Sequence, residues 1–187
     1  MRVSHGFQHW VEKNFDDHPD VFAQARGSHT HRYVNGRLHQ KVNLCLSNPK
    51  VDEFIIAEWK EAGTPDFWNI GNNDLGGRYC LCDDCRAMDI PPGQSLEDLW
   101  AGTCNVTGRH VKFWRRLLDQ MREINPDITL GAYAFQQYRF APPPGTGLEG
   151  MMISVVSAHD EFEDWVAWYE TGARLYLRPN WWHHTFR

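Results

Sequence analysis

Apolar positions along the chain change period several times, and each change marks an element boundary. Val51, Ile55 and Trp59 recur at four-residue spacing and give one apolar face to a helix. Asn48-Pro49 opens that helix, with Asn as the cap and Pro where no backbone donor is needed, and Gly63-Thr-Pro65 breaks it. Val111, Trp114, Leu118 and Met121 form a second stripe on a long helix predicted over 106–124, which Asn125-Pro126 stops. A third helix is predicted over 160–171, with Phe162, Trp165, Val166 and Tyr169 facing inward. Shorter helices are predicted at 7–15 and 19–25, and residues 26–41 read as an exposed loop.

Between the helices lie short runs that are almost continuously apolar, at 42–46, 67–70, 128–134, 151–156 and 174–177. Their length suits buried strands. Strands alternating with helices predict an α/β fold with a parallel sheet covered by helices. No repeat or linker divides the chain, so 1–187 reads as a single unit. A closed eight-fold barrel takes about 250 residues. Five predicted strands therefore read as a partial (β/α)8 TIM barrel, incomplete at both ends. The alternative is an open doubly wound sheet, but no Gly-rich phosphate loop follows the first predicted strand.

Composition narrows the partners. A net charge of −5 gives no electrostatic reason to expect nucleic acid or an anionic membrane. No run approaches the ~20 apolar residues of a membrane span, and no apolar stretch follows Met1-Arg-Val-Ser-His5 to suggest a signal peptide. Nine Trp beside ten Phe and six Tyr exceed what a chain of this length usually carries. Such rings fill cores, and their flat faces also stack on sugar rings.

In parallel α/β folds the chemistry gathers past the C-terminal strand ends. Those ends read Ser47-Asn48, Gly71-Asn-Asn-Asp74, Tyr133 to Arg139, Ser157 to Glu161, and Arg178-Pro-Asn-Trp-Trp-His-His184. Amides, arginine and carboxylates mixed with aromatic faces suit a saccharide. Glycoside hydrolysis usually needs two carboxyl groups. Asp74 is the first candidate, against the plain reading that Asn-Asn-Asp-Leu-Gly-Gly is a turn. Asp160 and Glu161 instead fit a helix N-terminus that Ser157 caps. No Gly-x-Ser-x-Gly elbow or phosphate-binding loop supports acyl or phosphoryl transfer.

Cys80-x-Cys82-x-x-Cys85 places thiols at ligand spacing. A structural zinc needs a fourth ligand, and Cys45 or a histidine can supply it; a disulfide or free thiols are the alternatives. A redox role is disfavoured because this Cys-x-x-Cys lies inside a predicted loop rather than opening a helix. The pairs His29/His31 and His183/His184 read as exposed loop residues rather than metal ligands.

Several segments in order carry a resemblance: His5-Gly-Phe7, His18-Pro-Asp-Val-Phe-Ala23, Leu44-Cys-Leu-Ser-Asn-Pro49, Asn73-Asp74 with the cysteines, Gly131-Ala-Tyr-Ala134 and Leu175-Tyr-Leu-Arg-Pro-Asn180. The chain resembles the bacterial domain-of-unknown-function 4838 family of the glycosidase barrel superfamily. That resemblance implies a glycoside hydrolase acting on GlcNAc-containing glycans, since the family includes endo-β-N-acetylglucosaminidases. It implies Asp74 as a catalytic carboxyl group and Asn73, Tyr133, Arg178, Asn180 and Trp181 as sugar-contacting residues. It implies an oligosaccharide or glycoprotein glycan as partner and an extracytoplasmic setting for the full-length protein; no cofactor is required, and the spacing of Cys80, Cys82 and Cys85 leaves a structural zinc open. A carbohydrate-binding barrel without hydrolysis, or a zinc-clipped structural domain, are the other functional classes.

Overall fold

The computed structural model describes residues 3–7, 9–23, 33–34, 37–38, 42–73, 79–89, 104–156 and 162–178. Among them, α1 (Trp10–Asn14), a 3-10 turn (Pro19–Val21) and a two-residue antiparallel ribbon, β1 (Tyr33–Val34) with β2 (Arg37–Leu38), precede the main layer. The ribbon falls inside the stretch expected to be loop. Then come α2 (Pro49–Glu61), β3 (Phe67–Asn69), α3 (Asp83–Ala87), α4 (Thr107–Arg122), β4 (Thr129–Ala134), β5 (Met151–Val155), α5 (Phe162–Tyr169) and β6 (Arg174–Leu177).

Strands β3, β4, β5 and β6 form one parallel sheet in their chain order. The expected alternation of parallel strands and helices is therefore present. Crossovers between parallel neighbours are right-handed, so a sheet wound in one direction receives its helices on one face. The contacts agree. Asp52 of α2 pairs with Arg116 of α4, and the rings of Trp114 on α4 and Trp168 on α5 lie 6.2 Å apart.

The two faces of the sheet differ in chemistry because side chains alternate along each strand. One set, including Leu130, Ala132, Ile153 and Val155, is buried beneath the helices. The register places Tyr133, Ser154 and Tyr176 together on the other face. The N-terminal segment crosses that second face. A Cβ on Gly131 would meet the Phe67 ring and the Val3 side chain, so glycine makes room for the crossing.

Two expectations are corrected. Residues 42–46 are not a strand of the sheet. Their backbone pairs instead with 21–23, where the Ala23 amide donates to the Asn43 carbonyl (2.8 Å) and the Cys45 amide to Val21 (2.9 Å). Only an isolated antiparallel bridge, Phe22 to Leu44, results. The run is apolar because Leu44 and Leu46 enter the core, not because it lies between strands. Helix α5 is also rotated from the expected face. Val166 and Tyr169 are exposed, and Trp168 is fully buried. Its indole donates to the Arg139 carbonyl while its ring meets Trp114, which fixes the helix's rotation. By contrast, Val51, Ile55 and Trp59 are all buried as their spacing predicts, and Asn48 caps α2 by accepting from the Lys50 amide.

Candidate functional site

Two groupings of polar chemistry stand out among the described residues. The first is a cluster of thiols. Cys45, Cys80, Cys82 and Cys85 place their sulfurs within 4.8 Å of one another. The separations are 3.5 Å for Cys45–Cys80, 3.7 Å for Cys45–Cys82, 3.9 Å for Cys45–Cys85 and 3.4 Å for Cys80–Cys82. Four sulfurs at a Zn–S distance of about 2.3 Å in a tetrahedron would be about 3.8 Å apart. A disulfide requires about 2.05 Å, so the spacing suits a shared ion and not a bond. All four are free cysteines, three of them buried.

The local chain explains the convergence. Cys45 follows the 21–23 pairing, whereas Cys80, Cys82 and Cys85 come from the segment after β3. Cys82 caps α3, its sulfur accepting the Cys85 amide at 3.4 Å. The Cys-x-x-Cys therefore does open a short helix, contrary to the loop expectation. It does so with two further thiols in contact, which a simple dithiol redox pair lacks. The Ser47 hydroxyl lies 3.2–3.5 Å from the sulfurs of Cys45, Cys82 and Cys85. Hydrogen bonds from the Cys80 and Cys85 thiols hold Cys45 down to about 4, and those same contacts push Cys80 upward. Without a cation, the contacts favour negative charge on Cys45 and a proton on Cys80.

Two arginines fasten the ligand backbone to the core. Arg109 donates to the Cys80 carbonyl (2.6 Å) and in a fork to Asp89 (2.7 and 2.5 Å), with both side chains almost wholly buried. Burial alone raises the Asp89 carboxyl and works against the Arg109 charge, while their pairing favours both ions. Arg116 donates to Asp52 (2.5 and 2.9 Å) and to the Leu46 carbonyl beside Cys45.

The second grouping is a cavity of about 360 Å³ on the helix-free face, lined in part by Ser4, His5, Tyr133, Met152, Tyr176 and Arg178. Tyr133 is central. Its hydroxyl donates to the Val3 carbonyl (3.0 Å) and accepts from the Arg178 guanidinium, which also sits 5.2 Å above its ring. The buried Ser154 hydroxyl, in register between Tyr133 and Tyr176, has no hydrogen-bond partner among the described residues. An unpartnered buried hydroxyl at that level points to a polar guest or water above it.

A chain of hydrogen bonds reaches the cavity from the core. His110 Nδ1 donates to the Val106 carbonyl at 2.9 Å, and its Nε2 receives the Asn72 amide at 3.5 Å. The Asn72 carbonyl then accepts from His5 Nδ1 at 2.8 Å. The carbonyl fixes the His5 tautomer and leaves Nε2 as that ring's remaining polar atom. His110 is stacked on Tyr138 (4.1 Å, 9°). Burial, helped by the nearby Arg109 charge, depresses it to about 3, so it is neutral.

The structure thus joins Tyr133 and Arg178, which sequence reasoning named. Asn73 is brought to the same strand end but is buried, and its side-chain amide donates to the Val42 carbonyl (2.7 Å) rather than lining the cavity. Asp74, Asn180 and Trp181 lie outside the described residues, as do His29, His31, Asp160, Glu161 and the His183/His184 pair. Cys45 takes its place as the fourth thiol. His5 and Tyr176 were not singled out as site residues. His5 becomes legible only when the N-terminal crossing is known, and Tyr176 only when the alternation along β6 is.

The profile of the family described as "Domain of unknown function (DUF4838)" matches residues 1–174. No curated protein and no solved structure matches the chain. No helix among the described residues is long and apolar enough to cross a membrane.

Proposed function

The chain belongs to the DUF4838 family, and on that premise we propose that it is a sector of a (β/α) barrel of glycoside-hydrolase type acting on GlcNAc-containing glycans. The observation that carries the reading is the cavity on the helix-free face, where Tyr rings, His5 and Arg178 meet. A sheet wound in one direction with all its helices outside is how a barrel wall is built. The inner face of such a wall, near the strand ends, is where a barrel binds its substrate. Tyr176, 58% exposed, offers a face for a sugar ring. Arg178 offers donors for hydroxyl or carbonyl oxygens, and His5 Nε2 offers an acceptor for a hydroxyl.

In this reading Asp74 is a catalytic carboxyl group. It follows Asn72, whose carbonyl bonds His5 at the cavity. Asn73 holds that strand end through Val42, and Asn180 and Trp181, which follow Arg178, contact the glycan. An extracytoplasmic setting goes with a glycan substrate. The deciding experiment compares glycan release from a complex N-glycoprotein by the wild type and by Asp74→Asn. Release that collapses in the variant, with fold and glycan binding retained, supports a glycosidase. Binding without release by the wild type selects a carbohydrate-binding barrel, and equal release by both removes Asp74 from the chemistry.

The thiol cluster favours a second role alongside the first, a structural zinc clip. Cys45, Cys80, Cys82 and Cys85 would hold the ion, whose contribution is to tie two distant segments together rather than to react. The convergence of all four sulfurs within 4.8 Å, three of the cysteines being buried, supports it. Elemental analysis of the purified protein should find one zinc per chain, lost in Cys80→Ser. Five titratable thiols, the four and Cys104, with no bound metal in freshly purified protein would refute the clip.

A further inference from the structure

We propose that the cavity beside Tyr133 receives a sugar carboxylate and that Arg178 is the residue that reads it. This rests on the saccharide reading above and narrows it to glycans with an acidic unit.

Of the other arginines anchored on a carbonyl, the surface Arg115 and Arg122 rest on Thr146 and Glu149, whereas the two beside the thiol cluster also hold an acid. Arg109 and Arg116 are each fixed by a carbonyl, and each is completed by a forked carboxylate, Asp89 and Asp52 respectively. Arg178 is anchored in a comparable way. One of its nitrogens donates to Tyr133, and the guanidinium lies over the Tyr133 ring. Tyr133 is itself immobilised, buried and bonded to the Val3 carbonyl. Yet no carboxylate among the described residues completes Arg178, and none of the described residues lining the cavity is acidic. A guanidinium held rigid has already lost much of its conformational freedom, and its unused donors present the planar fork that a carboxylate matches.

The surroundings suit a sugar that carries such a group. His5 Nε2 remains available after Nδ1 is taken by Asn72. Tyr176 gives the exposed ring face. The unpartnered Ser154 hydroxyl lies in register between the two tyrosines. A neutral sugar would satisfy the ring face and some donors but leave the Arg178 charge without a counter-ion. A uronate or a sialate would do the same and pair the Arg178 fork as well.

The test measures binding of the purified protein to an oligosaccharide of alternating glucuronate and GlcNAc, and to the same oligosaccharide with its carboxyl groups reduced to alcohols. A sialylated N-glycan and a neutral GlcNAc oligosaccharide are run alongside. The acidic ligand is expected to bind about 10- to 100-fold more tightly than its reduced form, the range of a charge-assisted fork. Arg178→Ala should erase that difference. Arg178→Lys, which keeps the charge and the fold but not the fork, should recover only part of it. Tight binding of the uronate or of the sialylated glycan supports the proposal and identifies which acidic sugar is read. Equal affinity for acidic and reduced forms, or an acidic preference that survives Arg178→Ala, overturns it while leaving the glycan reading intact. Failure to bind any of the four ligands overturns both.

Discussion

The thiol cluster and the cavity are built on opposite principles. The cluster is closed. Its sulfurs are within 4.8 Å of each other, and its flanking arginines already have carboxylates. The cavity is open, with an anchored guanidinium and a half-used imidazole lining it. A region whose polar groups are satisfied from within is built for stability. One whose groups are fixed but unfulfilled is built for a visitor. Damage to the first should appear in unfolding, and damage to the second in binding.

The sharpest way to break that contrast is to remove a ligand from the closed side. Cys85→Ser is expected to cost on the order of 5 kcal/mol, a fall of about 10–20 °C in Tm for a chain of this size. Calorimetry in zinc-containing buffer measures it, and a fall of under about 3 °C would mean that no ion holds the cluster together. Next in size is the buried Asp89–Arg109 pair. Asp89→Ala should cost about 3–5 kcal/mol because it strands a buried guanidinium. Arg109→Met on that background should restore much of the loss, as urea titrations of the double-mutant cycle would show. Additive losses would mean that the two groups act independently.

A smaller effect follows from acid. The folded pKa of His110, about 3, lies below its ordinary value near 6.5, so the unfolded chain takes up the proton first. This contribution to stability is complete above pH 6.5 and declines as pH falls toward 3, at up to about 1.4 kcal/mol per pH unit. His110→Gln should flatten the slope of unfolding free energy between pH 6.5 and 5, and an unchanged slope would remove His110 as the source. The smallest change in stability belongs to the open side. Tyr133→Phe should lower it by about 1 kcal/mol while weakening glycan binding several-fold. A large loss of stability with binding untouched would reverse the comparison.

How much of this was legible beforehand follows the same division. The alternation of elements, the face of α2 and the thiol spacing are local patterns, so periodicity and motif carried them. The metal grouping needed only one long-range guess, Cys45. The 42–46 run misled because two-sided burial looks alike in a central strand and in an extended segment wedged against 21–23. The face of α5 misled because Trp165, Val166, Trp168 and Tyr169 allow more than one apolar stripe. Contact with Trp114 and Arg139, not periodicity, selects Trp168. The cavity was half legible. Tyr133 and Arg178 sit at strand ends, but His5 arrives from a segment whose placement no periodicity encodes.

That crossing is unusually tight. A Cβ on Gly71 would lie 2.1 Å from the Ser4 carbonyl oxygen, and the Gly6 amide donates to the Gly71 carbonyl at 2.7 Å. The Val3–Tyr133 bond spans 130 residues of sequence, among the longest separations in the molecule. Closing so long a loop is entropically costly and kinetically late. Residues 3–6 are thus made before β4 but seated only after it, waiting until β4 exists to receive them. The cavity is in this sense a certificate that both of its parts exist: the chain can assemble its thiol cluster and helices first, but it cannot offer the finished pocket until residues 3–5 have met β4–β6.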